Sequence, residues 1–233
     1  EHFLQSGVEF GAALGSIERV FEPWHQFPAL SEYETEIASQ IQGRKLPYIR
    51  RTFGETVNSY SALKGALKRA LELNSKRYNV TFNPFLQRRQ ATFADCLLAP
   101  EEHTYFLALH TQVSAVEFRE SKDLGRLISR ANPLPSMALQ ADPYGQLDLL
   151  FLLEAPSRNY ELKQVVEREI ARRFGSAPDR VELLPGALPL AGTRLWHNSG
   201  AEMGRVEVWI NPKEPRYSLK YLRDAFCDAG NGV

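Results

Sequence analysis

Two apolar runs constrain this chain more than anything else in it. One is Tyr105-Phe-Leu-Ala-Leu-His-Thr-Gln-Val-Ser-Ala-Val116 and the other Gln146-Leu-Asp-Leu-Leu-Phe-Leu-Leu153. A spanning helix needs roughly 20 apolar residues, so neither run crosses a membrane. Their length and their Leu, Val and Phe content are those of buried central strands. A charged stretch and the Asn-Pro-Leu-Pro-Ser hinge at 132–136 join them, so the two are expected as neighbours in one sheet. A polar side chain inside such a strand must find a partner or line a cleft. His110, Gln112 and Asp148 are therefore where a functional site is expected.

The 233 residues suffice for one large domain, or for a core with a helical extension, and 43% hydrophobic with 24% charged is an ordinary globular composition. Cys96 and Cys227 stand far apart with no metal-ligand spacing. They read as small buried hydrophobes of a protein kept in a reducing cytoplasm. No signal peptide or spanning helix is evident, and a start at Glu1 without methionine reads as a piece of a longer protein.

A net charge of zero conceals a division. Residues 1–39 carry seven acids against Arg19 alone, and residues 40–100 carry eleven Lys or Arg against Glu55, Glu72 and Asp95.

The N-terminal third reads as helical. The apolar spacing over 8–21 predicts an amphipathic helix, with a break at Pro23 and Pro28. Residues 31–39, with Ser31 as a cap and acids in the first turn, predict a second helix. Residues 58–61 open a third, over 62–73, on which Lys64, Lys68 and Arg69 share a face. From Arg77 the period becomes that of strands: 78–82 alternates up to Asn83-Pro84, and 93–98 leads into the first apolar run. Helices are expected over 121–129, 161–174 and 218–227, and strands over 181–184 and 205–210. The expectation is an α+β fold: residues 1–75 as a helical N-terminal extension and 76–233 as a sheet core flanked by helices.

The basic segment admits two readings. One is a solvated face whose charges pair with the acidic segment. The other is a phosphate-binding surface, because Arg50, Arg51, Lys64, Lys68, Arg69, Lys76, Arg77, Arg88 and Arg89 recur with Tyr48, Tyr60, Tyr78 and Phe85 among them. Cations neutralise phosphates, and aromatic faces stack bases. Arg194, beside Trp196 and His197, is a further candidate.

The order of motifs resembles the archaeo-eukaryotic primase superfamily, in particular the primase-polymerase domains of plasmids and phages, over about residues 77–226. Tyr78-Asn-Val-Thr-Phe-Asn-Pro84 is similar to the family's early strand ending in an Asn-Pro turn. Phe106-Leu-Ala-Leu-His-Thr-Gln-Val-Ser114 stands where the family has a strand ending in Asp-x-Asp. The stretch from Leu134 to Asp148, followed by Leu-Leu-Phe-Leu-Leu153, resembles the family's Pro-(Ser/Thr) strand, its Gly-containing loop and the returning strand that carries His or Gln. Residues 172–186 resemble the segment of the third motif, and Tyr217-Ser-Leu-Lys-Tyr-Leu222 the closing helix.

What the resemblance implies is a primase-polymerase-like, RNA-recognition-motif-like sheet that performs templated nucleotidyl transfer with two divalent ions. Carboxylates at alternate strand positions point the same way and clamp the metals. Here those positions hold His110 and Gln112. Neither substitutes for a carboxylate toward Mg²⁺. The His or Gln of the second motif falls at Asp148, and Glu182 or Arg180 fills the third acidic slot.

Three accounts stay open. Shifted ligands Glu117, Asp123 and Asp142 would restore an active primase that uses Mg²⁺ or Mn²⁺. His110 would form another metal centre with His103, Asp148 and His197. Or the fold is kept for binding, with no catalytic residues, no metal and no cofactor. The third is the expectation carried forward: a catalytically degenerate primase-like domain in DNA replication or mobile-element maintenance. It would bind single-stranded or forked DNA through Arg50, Arg51, Lys64, Lys68, Arg69, Arg77, Arg88, Arg89 and Arg194, with a helicase or other replication protein as a possible partner. The competing class is a non-enzymatic protein-interaction scaffold.

Overall fold

The computed structural model describes residues 2–42, 50–113, 132–141, 146–174, 187–197 and 199–227. The first helix, α1 (His2–Gln26), runs through Pro23, where the sequence predicts a stop. Proline lacks the N–H that would bond the carbonyl four residues back. That carbonyl, of Arg19, accepts instead from the Arg216 guanidinium. The same guanidinium donates to Glu22 Oε2 at 3.0 Å through Nε and to the Leu153 carbonyl at 3.1 Å through Nη1. A side chain 197 positions away thus replaces the missing helical bond.

The helix expected over 31–39 is a strand, β1 (Tyr33–Gln42). Tyr33, Thr35, Ile37 and Ser39 are buried while Glu36 and Gln40 are exposed, a period of two that only a strand satisfies. β2 (Arg50–Val57) pairs with it antiparallel from Thr35↔Val57 to Gln42↔Arg50. The expected helical character of residues 1–75 is therefore corrected: this segment adds two strands to the sheet as well as helices.

A 3₁₀ turn (Tyr60–Ala62) leads into α2 (Leu63–Ser75), which buries Leu63, Ala66, Leu67 and Ala70, as its spacing predicts. Its C-terminus closes with paired bonds, Tyr78 N–H to the Leu73 carbonyl at 3.2 Å and Arg77 N–H to the Asn74 carbonyl at 3.0 Å. This closure puts Arg77 at φ 73°, a left-handed position that glycine ordinarily takes. Replacing Arg77 by glycine is expected to raise unfolding free energy by about 1 kcal/mol, read as a higher urea midpoint at unchanged slope.

β3 (Asn79–Phe82) and β4 (Phe85–Arg88) both pair antiparallel with β1, on either side of Asn83-Pro84. Residues 93–98 are helical rather than extended. In α3 (Phe93–Leu98) the Thr92 hydroxyl accepts from the Asp95 N–H while the Asp95 carboxylate accepts from the Thr92 N–H, a reciprocal cap. After α4 (Pro100–His103) come β5 (Thr104–Val113), β6 (Met137–Ala141), β7 (Gln146–Ser157), α5 (Tyr160–Arg173), β8 (Leu188–Pro189), β9 (Arg194–Trp196), β10 (Glu202–Ile210) and α6 (Leu219–Cys227). The helix expected over 121–129 and the strand over 181–184 lie outside the described residues.

The two apolar runs are adjacent antiparallel strands, in register from Ala108↔Leu152 to Val113↔Leu147. Among the described residues the sheet runs β8-β3-β1-β4-β5-β7-β6-β10-β9, with β2 on β1. Helices cover both faces. Ile17, Val20 and Phe21 of α1 and Leu67 of α2 share a core with Leu139, Leu150 and Leu152. On the other face Val166 and Ile170 of α5 and Phe226 of α6 meet Leu109, Leu149 and Phe151. Burial on both sides explains the nearly unbroken apolar sequence of β7. The architecture is the expected α+β sheet flanked by helices.

Neither Cys96 nor Cys227 forms a disulfide among the described residues. Burial raises the Cys96 pKa above the ordinary thiol range, as expected for a small core hydrophobe. No helix among the described residues is long and apolar enough to cross a membrane.

Candidate functional site

The register of the central strands brings three expected positions together. Gln112 lies directly opposite Asp148, His110 lies opposite Leu150, and Asp148 in turn faces Leu139 of β6. Cross-strand partners and alternate residues share a face, so His110, Gln112 and Asp148 occupy one surface of the sheet, the side on which α1 packs. His110 Nε2 sits 2.8 Å from Asp148 Oδ1. A carboxylate only accepts, so Nε2 is the donor in this contact. The Asp148 side chain is 1% exposed and that of His110 20%. A buried carboxylate is thus held by an imidazole that reaches solvent.

A second pair of charges fixes the strand that carries His110. Along β5, β4 reaches only Thr104, Tyr105 and Phe106, and beyond them that edge of β5 has no strand neighbour among the described residues. There the His110 N–H donates to Glu167 Oε1 at 2.9 Å. Glu167 Oε2 accepts from Lys163 Nζ at 2.6 Å, one turn away on α5, and these two side chains are 3% and 0% exposed. The pair stands in for a missing strand at the level of the candidate site.

His110, Gln112 and Asp148 by themselves do not make a two-ion centre. One carboxylate, already bonded to an imidazole, and one amide do not supply the oxygen-rich cage that Mg²⁺ requires. Among the described residues no group of three or more His, Cys, Asp or Glu side chains could hold a metal ion, so the alternative set of His103, His110, Asp148 and His197 is not assembled. His197 Nδ1 instead lies 3.0 Å from the Ser199 hydroxyl. Glu182, Arg180, Glu117, Asp123 and Asp142 fall outside the described residues.

The basic candidates divide by what they touch. Arg69 Nε lies 2.8 Å from Glu55, Arg88 lies 3.8 Å from Glu32, and Arg194 sits between Glu9 at 3.6 Å and Glu202 at 3.5 Å. Arg89 donates to the carbonyls of Ser31 and Asn58 at 2.8 and 2.7 Å. Lys64, Lys68 and Arg77 are exposed and form no ion pair among the described residues. Arg50 and Arg51 belong to β2, paired with Gln42 and Ile41. Of the interleaved aromatics, Phe85 is buried in the core, Tyr60 packs on His25 at 4.6 Å, and Tyr48 lies outside the described residues.

Three contributors were not visible in sequence: Lys163 and Glu167, which read as an ordinary surface pair on a helix, and Phe53, an exposed aromatic in β2.

No protein-family model matches the chain, and no curated protein does. Solved structures do. The primase-polymerase AEP domain of cyanophage S-2L superimposes with a TM-score of 0.55 at 11% identity, covering 82% of this chain and 89% of that one. The primase RepB′ gives 0.50 at 12% identity, covering 94% of this chain and 64% of that one. The catalytic domain of RepB′ in complex with initiator DNA gives 0.49 at 11% identity. Identities this low speak for shape alone, and the shape agrees with the order of motifs in the sequence: the fold of the chain is similar to that of an AEP domain of the primase-polymerase type.

Proposed function

We propose that this chain is a primase-type domain with a degenerate nucleotidyl-transfer centre, retained to bind nucleic acid in DNA replication or mobile-element maintenance. The observation that carries the reading is the pairing of His110 with Asp148 on the α1 face of β5 and β7. The positions that resemble the metal-clamping motif are occupied by an imidazole and an amide, and the nearest described carboxylate is committed to the imidazole. Binding is supported by Lys64 and Lys68, one turn apart on the solvent face of α2, and by Arg77 at its end. Their charges are not spent on internal partners among the described residues. The expected ligand is single-stranded or forked DNA, with cytoplasmic action beside a helicase or other replication protein.

Binding to a labelled oligonucleotide, followed by mobility shift at rising salt, tests the reading. A steep loss of affinity is expected, and the Lys64→Ala/Lys68→Ala variant should flatten the slope of log K against log salt by about 1.4, two phosphates on a single strand. Affinity indifferent to salt would instead favour the protein-interaction scaffold, in which the arginines serve their internal acids. In the same preparation no labelled nucleotide should be incorporated with either Mg²⁺ or Mn²⁺. Incorporation that disappears on Asp148→Ala would overturn the degenerate reading.

A further inference from the structure

An aromatic pair stands at the C-terminal end of α2, where the sheet edge meets solvent. Phe53 of β2 and Tyr78 lie edge to face, with ring centroids 5.5 Å apart and planes at 66°. Phe53 is 48% exposed. Among the described residues β2 pairs only with β1, so no further strand flanks it. Two cations adjoin the pair along the chain: Lys76 and Arg77 immediately precede Tyr78, and both are exposed with no ion pair among the described residues. Arg51 occupies the alternate position two residues before Phe53 in β2.

Two features argue against an incidental patch. A large aromatic on an edge strand is an association hazard that proteins ordinarily suppress. Arg77 sits at φ 73° in the closing turn of α2, where glycine would be free of strain. A charged side chain is kept at a backbone position that disfavours it, next in sequence to Tyr78 of the pair. Strained residues of this kind cluster where a ligand is held.

From this juxtaposition we infer that Phe53 and Tyr78 form a stacking platform for one base of a single-stranded nucleic acid, with Lys76 and Arg77 on its phosphates. The inference rests on the nucleic-acid reading above and gives it a location. The occupant follows from charge complementarity: cations with no ion pair among the described residues, adjoining an aromatic pair along the chain, suit a polyanion that carries planar rings.

Fluorescence anisotropy separates the two levels. The full chain is titrated with a labelled oligothymidylate and with an abasic deoxyribose-phosphate strand of equal length. The unaltered protein should prefer the strand with bases by about fivefold or more. Phe53→Ala, a change at an exposed ring, should abolish that preference and leave abasic binding unchanged, and Phe53→Tyr should restore it. Arg77→Gly should weaken both strands and flatten the salt slope by about 0.7. An unchanged preference in Phe53→Ala, or equal weakening of both strands by it, would overturn the platform and leave the proposed function standing. Failure of the unaltered protein to bind either strand would overturn both. A concentration-dependent dimer that Phe53→Ala dissociates would assign the patch to a second copy of the chain and overturn the platform.

Discussion

Lys163→Met is expected to destabilise the protein by about 3–5 kcal/mol. The ammonium lies 2.6 Å from Glu167 Oε2 with both side chains out of water. Removing it leaves a carboxylate buried with its charge uncompensated. Glu167→Gln should cost less than Glu167→Leu, because the amide oxygen can still accept from the His110 N–H, and an orphaned buried N–H costs about 1–3 kcal/mol. The Lys163→Met/Glu167→Gln pair should recover part of the loss of Lys163→Met, since no net charge then remains buried. Urea denaturation of the three single variants and the double reads these differences from the midpoints. A Lys163→Met midpoint equal to that of the unaltered protein would mean that the ammonium reaches solvent in solution.

Gly192→Ala should cost about 2–5 kcal/mol, summing the left-handed backbone and the overpacking. Gly192 has φ +76°, and a Cβ built there would meet the Glu9 carbonyl at 2.7 Å and Ala12 Cβ at 3.2 Å. Neither neighbour can swing aside, because one is backbone and the other a methyl on the same helix. The damage should appear as lost protection of α1 amides in hydrogen exchange as well as a lower midpoint. Gly11→Ala provides the control in the same helix. Nothing lies within 4 Å of its built Cβ, so that change should stabilise by about 0.5–1 kcal/mol.

The features legible in sequence were those set by local burial. β5 and β7 announced themselves because helices cover both of their faces, and His110, Gln112 and Asp148 stood out as polar positions inside them. β1 was misread because Glu32, Glu34 and Glu36 suit the first turn of a helix. The competing signal, Tyr33, Thr35, Ile37 and Ser39 on alternate positions, decides the matter only when another strand is there to pair with. The continuation of α1 past Pro23 was illegible for a similar reason, since the donor that satisfies the Arg19 carbonyl lies at residue 216.

The candidate site was half legible. That the three polar positions share a face follows from period and register; that His110 bonds Asp148 depends on side-chain geometry. Lys163 and Glu167 carry the spacing of an ordinary solvated helix pair, and only the uncovered edge of β5 puts them indoors. Asn74 and Asn79 drew no notice in the sequence. Each pairs through both ends of its amide with a backbone segment, Asn74 with Arg194 and Asn79 with Trp196, so two side chains tie β9 to the α2–β3 connection.

The proline in α1 also bears on how the molecule is made. Chains emerge from the ribosome N-terminus first, so α1 is released with one carbonyl that no helical N–H can satisfy. It finds its donor only when Arg216, 197 positions further on, has been translated. α1 is then finished late, and a nascent polypeptide stalled short of that arginine should expose α1 to protease until Arg216 arrives.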